Sequence, residues 1–348
     1  MSDKKVTATE SVTTEPNTEQ ESPRAMEQFI VTFLKKLVPG ESHRAGSLQV
    51  FPLRFATDGD SNPQPYLVLD EALQRGSLRI QEVSKSGQVP HLKAVNDGDL
   101  PVLLLVGDQL IGAKQNRILN TTVMLAPKSV EIIPVSCVEQ GRWAYERSTF
   151  SSSGTACHAE LRSLLYDSVQ ENLRYARAYS SDQLAVWGAV SKTLACVRSR
   201  SKTAALEQAY RDNRATLESL VRDCPAPSDA VGVAFAITGQ IVGLEAFDQA
   251  KTLGKLWPKL LRSYGLDALY APADKELTHD ELWAWLQSHD GLSCHRFKPP
   301  GMGEDIRFGN QYMKGAALVM EGRVVHLQMF PTRSRPKGTV DPDDLPTQ

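Results

Sequence analysis

Residues 103–125, LLLVGDQLIGAKQNRILNTTVML, and residues 130–143, VEIIPVSCVEQGRW, carry the pattern that decides the fold. Both are rich in Val, Ile, Leu and Thr, whose branched or bulky side chains suit a pleated, half-buried surface. Turn chemistry at VGDQ (106–109) and APKS (126–129) interrupts them before a helix could form. Lys114, Gln115, Asn116, Arg117 and Asn120 then break into an otherwise apolar run. Period-two alternation sends Gln115, Arg117, Leu119 and Thr121 to one face, and Asn116, Ile118, Asn120 and Thr122 to the other. In the second stretch Ile133, Val135, Cys137 and Glu139 share a face, Ser136 and Val138 take the opposite one, and Arg142 and Trp143 follow.

The same texture extends upstream. SLQVFPLRF (47–55), LRIQEV (78–83), HLKAVN (91–96) and PVLLLV (101–106) read as strands separated by SKSGQVP and NDGDLP. YLVLDEALQRG (66–76) predicts a short helix that buries Leu67, Leu69 and Leu73 and stops at Gly76. Residues 26–38, MEQFIVTFLKKLV, fit a docking helix or a strand, and periodicity does not choose. Strands at this spacing predict a sandwich or partial barrel.

Downstream, the Ser-rich SSSGT (151–155) reads as a break before a helical middle. Leu161, Leu164, Leu165, Val169 and Leu173 line one helix face. Ser180 and Gln183 have capping-box spacing for a second helix through Leu184, Trp187, Val190, Leu194 and Val197, and a third runs through Leu206, Tyr210, Leu217 and Leu220. From 228 the pattern mixes strands and helices. VGVAFAITGQIVGLEAF (231–247) predicts two strands about Thr238-Gly239-Gln240, followed by a helix that Pro258 should kink or end early. THDELWAWLQSH (278–289) opens with a Thr278/Glu281 capping box, and ALVMEGRVVHLQMF (317–330) is a hairpin about Glu321-Gly322.

The expected class is therefore α+β: an antiparallel strand-rich N-terminal half (26–150), a helical region (151–227) and a closing α+β region (228–331). Residues 26–331 are expected to form one composite domain. Residues 1–25 and 332–348, rich in Thr, Ser, Pro and charge and poor in apolar residues, read as disordered tails.

The chain has 348 residues and a formal net charge of -2. The N-terminal tail has three basic and five acidic residues and the C-terminal tail three of each, so the core is neutral overall. That balance argues against a nucleic-acid coat. No apolar run of about 18 residues predicts a membrane span, and the start lacks the apolar stretch of a secretory signal. The five cysteines are an odd number without CxxC spacing, so no metal and no disulfide framework is expected, and a reducing, cytoplasmic setting is the simpler reading. No cofactor motif appears, and a protein partner or self-association is left open.

So many amides and guanidinium groups in one strand region need partners, because an unpaired buried polar group costs several kcal/mol. The candidates are Glu139 and Cys137 as catalytic groups, with Gln115, Asn116, Arg117, Asn120, Arg142, Trp143 and Glu82 as ligand contacts. Amides can read a sugar or base edge, arginine a phosphate and tryptophan a ring face. The same residues could equally form an internal network. Glu139 could simply pair with Arg117 or Arg142, Cys137 could be a small buried hydrophobe, and Asp108 beside Gly107 could serve a turn.

GAKQNRILN (112–120) and IPVSCVEQGRW (133–143), with YLVLDEAL, IQEV and VPHLKAVNDGDLPVLLLVGDQL before them, resemble an uncharacterised, mainly bacterial family. It is named for association with ADP-ribosylglycohydrolase and rhodanese-phosphatase-superfamily proteins. The resemblance runs from about 46 to 330 and carries no established catalytic residues. It implies a place in NAD-derived or ADP-ribose metabolism, and so a nucleotide-type small molecule bound or processed in the strand-region pocket.

Two other readings stay open: a non-catalytic interaction or scaffold protein, and a metal-dependent, cupin-shaped isomerase. PPGMGEDIR (299–307) offers two glycines and Arg307 but no phosphate-loop pattern, and reads as a plain loop. His158, His295 and His326 stand isolated, with His326 expected to pack or bond locally.

Overall fold

A computed structural model of the chain describes residues 23–56, 64–84 and 87–332. Apart from residues 23–25 and Thr332, the expected tails lie outside the described residues. The N-terminal strands are β1 (Leu37–Pro39), β2 (His43–Ala45), β3 (Leu48–Phe55), β4 (Leu67–Val68), β5 (Leu78–Glu82), β6 (His91–Asn96) and β7 (Val102–Leu104). The deciding stretch supplies β8 (Asp108–Gly112), β9 (Arg117–Leu119), β10 (Val123–Leu125) and β11 (Ser129–Cys137), followed by β12 (Phe150–Ala156). The chain closes with β13 (Gly232–Ile237), β14 (Gln240–Phe247), β15 (Ser293–Phe297), β16 (Glu304–Gly309), β17 (Met313–Met320) and β18 (Arg323–Pro331).

Eight helices accompany them among the described residues: α1 (Pro23–Lys36), α2 (Leu69–Gln74), α3 (Ala159–Ala176), α4 (Gln183–Cys196), α5 (Glu207–Asp212), α6 (Arg214–Asp223), α7 (Ala250–Ala268) and α8 (His279–Leu286). The architecture is α+β, with a strand-rich N-terminal half.

A six-stranded antiparallel sheet runs β12-β8-β9-β11-β6-β5. Its outer edges meet at the Gln81–Thr149 bridge, so the sheet curls into a partial barrel. β11 makes the bend, pairing with β6 through Pro134 and with β9 from Val135 onward. The interior is filled by side chains rather than left as a channel: Leu78, Ile80, Leu92, Leu110, Leu119, Ile133, Val135 and Phe150 pack there.

The second large sheet, β1-β3-β13-β14-β18-β17-β16-β15 with β2 added on β3, joins the N-terminal strands to the closing segment. Ile30 and Leu34 of α1 and Leu282 and Leu286 of α8 cover one face, while Leu253, Trp257, Leu260 and Tyr264 of α7 cover the other. Between barrel and sheet lies β10-β7-β4, whose β4–β7 pair is parallel. Helices α3 to α7 pack on the outer wall of the barrel at Ile118 and Val138.

Local departures from the sequence reading have local causes. Residues 26–38 resolve into α1 followed by β1. SSSGT is no break: it lies in β12, paired to β8, with a register shift between Ser152 and Ala156 at Gly154 (φ 75°). Serine and threonine suit this half-exposed barrel edge, and glycine takes the left-handed conformation. ILNTTVML splits into β9 and β10 because Asn120 and Thr122 turn to partners elsewhere: Asn120 Nδ2 donates to Tyr179 O at 2.9 Å, and Thr122 Oγ1 meets His326 Nδ1 at 2.9 Å.

The α4 cap is Asp182, accepting from the Leu184 and Ala185 amides, while Ser180 offers its carbonyl to Asn172. Leu184 is exposed as a result. The expected third helix is two, α5 and α6. Pro258 ends nothing, and α7 runs through it for 19 residues. Burial of Leu253, Trp257, Leu260 and Leu261, about 1.5–3 kcal/mol each, outweighs the roughly 3 kcal/mol penalty of an internal proline. β15 leads into PPGMGEDIR, and Arg307 belongs to β16 rather than to a loop.

Candidate functional site

The β9–β11 register decides which way the polar cluster points. Leu119 pairs with Val135, Ile118 with Ser136 and Arg117 with Cys137. Leu119 and Val135 lie in the barrel core, so alternation turns Arg117 and Cys137 inward as well, one step nearer the barrel's end. Glu82 closes β5 opposite the core residue Leu92 and is turned inward in the same way. The mouth of the barrel is therefore lined by Glu82, Arg117 and Cys137, all buried.

Arg117 Nη1 donates to Gln115 Oε1 at 3.1 Å and to Cys137 Sγ at 2.8 Å, and Cys137 Sγ lies 2.5 Å from Gln115 Oε1. Its Nε and Nη2 have no hydrogen-bond partner among the described residues. Across the mouth, Glu82 Oε1 accepts from the Lys114 amide at 3.4 Å, and its Oε2 also has no partner among the described residues. Burial depresses the Arg117 pKa below its ordinary value, and the neighbouring Cys137 and Glu82 only partly offset that. Burial likewise pushes the Cys137 thiol up to about 11, Arg117 opposing and Glu82 and Glu139 adding to it. At neutral pH Cys137 is a thiol.

The rim is held by Arg142. Its Nη1 donates to Ala113 O at 2.7 Å and Ala144 O at 3.0 Å. Its Nη2 reaches Asn116 Oδ1 at 3.1 Å and Glu139 Oε2 at 2.6 Å. Glu139 also accepts from the Asn116 amide at 3.1 Å and from Thr203 Oγ1 at 2.8 Å. Burial alone would raise its pKa, but these bonds overcome it and keep Glu139 below the usual carboxylate range. Above them Lys114 Nζ sits 5.1 Å from the Trp143 ring centroid and 5.2 Å from that of Tyr145, and the Arg117 guanidinium lies 5.7 Å from Trp143. Trp143 is 48% and Tyr145 50% exposed, so both rings are half open to solvent. Gly87 (φ 75°) passes close by: a Cβ there would stand 3.4 Å from Glu82 Oε2 and from Trp143.

Eight of the sequence candidates thus converge: Glu82, Gln115, Asn116, Arg117, Cys137, Glu139, Arg142 and Trp143. Asn120 does not. It lies on the outer wall, where its Oδ1 accepts from Ser136 Oγ at 2.6 Å.

Several buried polar groups had no sequence signal, because their partners are far away along the chain. Lys259 Nζ pairs with Asp108 at 2.6 Å and Asp70 at 2.7 Å. Burial would lower the Lys259 pKa, but the two carboxylates hold it above its ordinary value. Asp108 does serve its turn, accepting from the Leu105 amide at 2.8 Å. His326 packs as expected, stacked 4.9 Å from the Phe247 ring, and its Nε2 meets Glu245, 81 residues away, at 2.8 Å. His158 is not isolated, bonding Asp267 at 2.7 Å and Thr193 at 2.8 Å. Asp267 also accepts from the Glu160 amide, so this trio clamps the start of α3 onto α4 and α7. Among the described residues no group of three or more His, Cys, Asp or Glu could hold a metal ion, and no helix is long and apolar enough to cross a membrane.

Fold and site together define an α+β protein on a side-chain-filled partial barrel, with an incompletely partnered arginine at its mouth. The chain belongs to the family of the ARG and Rhodanese-Phosphatase-superfamily-associated Protein domain (ARPP-1), whose model matches residues 36–330. No curated protein and no solved structure matches it.

Proposed function

We propose that the barrel mouth binds an anionic, nucleotide-type ligand of the ADP-ribose or NAD-derived class. The observation that carries this is the pair of Arg117 guanidinium nitrogens that have no hydrogen-bond partner among the described residues, at a mouth where Glu82 Oε2 also has none among them. A fully buried cation with two idle donors is costly, and a phosphate oxyanion would satisfy both in bidentate fashion. Glu82 Oε2 is placed to accept from a ribose hydroxyl, Gln115 orients the arginine, and the Trp143 face offers a stacking surface for a base. The family's association with ARG proteins agrees with this ligand class. A cytoplasmic setting fits the free cysteines.

The surroundings of the two catalytic candidates favour supporting roles. Glu139 has its oxygens engaged by Arg142, Asn116 and Thr203, which suits a positioning residue better than a general base. Cys137 is a protonated thiol that donates to Gln115. Calorimetry with ADP-ribose and NAD tests the proposal. Binding that is lost in Arg117→Met at unchanged melting temperature supports it, and no heat at millimolar ligand removes it.

A second reading rests on the saturated half of the cluster. The Asn116–Glu139–Arg142–Thr203 network fixes its own loops and would serve an interaction or scaffold protein without chemistry. On that reading Glu139→Gln lowers stability and no nucleotide binds.

A further inference from the structure

A separate cavity of about 290 Å³, sharing none of the barrel-mouth residues, opens between α3 and the β15–β17 edge of the nine-stranded sheet. Tyr166, Gln170 and Arg174 present successive turns of α3 to it, and His295, Arg307 and Lys314 reach it from the three strands. Arg307 is 1% exposed. Its Nε is paired with Asp305 at 2.9 Å and its Nη2 reaches Thr121 Oγ1 at 3.4 Å, whereas its Nη1 has no partner among the described residues. Gln170 Oε1 is likewise buried without a partner there. The guanidinium is held between the rings of Tyr166 and Tyr179, at 5.5 and 5.6 Å, so its plane is set before any ligand arrives.

The charges around the cavity do not cancel. Asp305 answers Arg307, and Asp167 answers Lys314 at 2.5 Å. Arg174, exposed at the lip, forms no ion pair among the described residues. A buried guanidinium with an idle nitrogen, a lysine and an uncompensated arginine around one hollow favour an oxyanion, and the idle amide oxygen of Gln170 favours a hydroxyl next to it. The volume lies at the lower end of the roughly 300–1,000 Å³ typical of small-molecule sites, too small for a dinucleotide. We propose that this cavity binds a phosphorylated small molecule of about pentose-phosphate size, independently of the barrel mouth.

The test is calorimetric titration of the full chain with ribose 5-phosphate, inorganic phosphate and unphosphorylated ribose. Ribose 5-phosphate should bind more tightly than phosphate, and ribose should not bind. Arg174→Ala and Gln170→Leu, lip and wall substitutions that spare the Arg307–Asp305 pair, should each weaken binding by about tenfold at unchanged melting temperature. Arg117→Met should leave this binding intact. The proposal is overturned by no binding of ribose 5-phosphate, by equal affinity for inorganic phosphate, by indifference to both substitutions, or by loss of binding in Arg117→Met.

Discussion

Arg117 at the barrel mouth and Arg162 beneath the large sheet are both completely buried, yet they are provided for in opposite ways. Arg162 Nη1 meets Glu245 Oε1 at 2.5 Å, its Nη2 meets Ser263 Oγ at 3.3 Å, and its guanidinium lies 4.8 Å from the Tyr264 ring. Burial would lower its pKa, but Glu245 overcomes that and drives it above the ordinary arginine value. Glu245 in turn is held below the carboxylate range, Arg162 and His326 overcoming its burial. Among the described residues Arg117 bonds a thiol, an amide and a backbone carbonyl, and its pKa moves the other way. One arginine carries its countercharge in the fold. The other has carboxylates nearby, Glu82 and Glu139, but none hydrogen-bonded to it among the described residues, and their charge does not overcome its burial.

The largest effect should come from breaking the charge pair, although Arg162 Nε, like two nitrogens of Arg117, has no hydrogen-bond partner among the described residues. Glu245→Gln keeps the volume but strips the charge facing Arg162, and should cost about 3–5 kcal/mol in urea unfolding. Arg117→Met removes a cation that has no carboxylate bonded to it among the described residues, and should stay within about 1 kcal/mol of the parent. Equal losses for the two would erase the contrast and make Arg117 a structural residue.

The next effect is the ligand's own. With ADP-ribose at about one hundred times its dissociation constant, the parent should gain roughly 2.7 kcal/mol of stability, falling as salt screens the anion. Arg117→Met should gain nothing. A stabilisation that survives this substitution would place the ligand elsewhere.

The contrast also marks what could be read from the sequence. The strands, the shared face of Arg117 with Leu119 and of Cys137 with Val135, and the Thr278–Glu281 capping box all follow from neighbours two to four residues apart, and local spacing reports them. Arg162 and Glu245 are 83 residues apart, and Lys259 and Asp108 151 residues apart, so none of these pairs shows in local spacing until the topology brings the partners together. β12 escaped notice because a half-exposed edge strand tolerates the serines that otherwise signal a loop. The mouth was legible because its donors are crowded into one strand region. The His158–Asp267–Thr193 clamp was not, because it is assembled from three helical segments.

The smallest expected effect extends the comparison to a half-buried group of opposite sign. Glu207, in the first turn of α5, accepts from Gln109 Nε2 and has Arg211 one turn away. Burial outweighs both and raises its pKa to about 7, well above the ordinary glutamate value. Like Arg117, it is shifted toward its neutral form because its countercharge is inadequate. Between those two pKa values the folded chain keeps a proton that the unfolded chain has released. The stability this group contributes is therefore full in acid and is lost as pH rises through about 7. Glu207 is half-buried, so solvent screening reduces the loss to on the order of 1–2 kcal/mol between about pH 5 and pH 8. Glu207→Gln, which cannot ionise and can still accept from Gln109, should flatten the stability profile over that window and exceed the parent above neutrality. Parallel profiles for parent and variant would show that Arg211 and Gln109 suffice as partners, and would leave Arg117 as the incompletely compensated charge of this comparison.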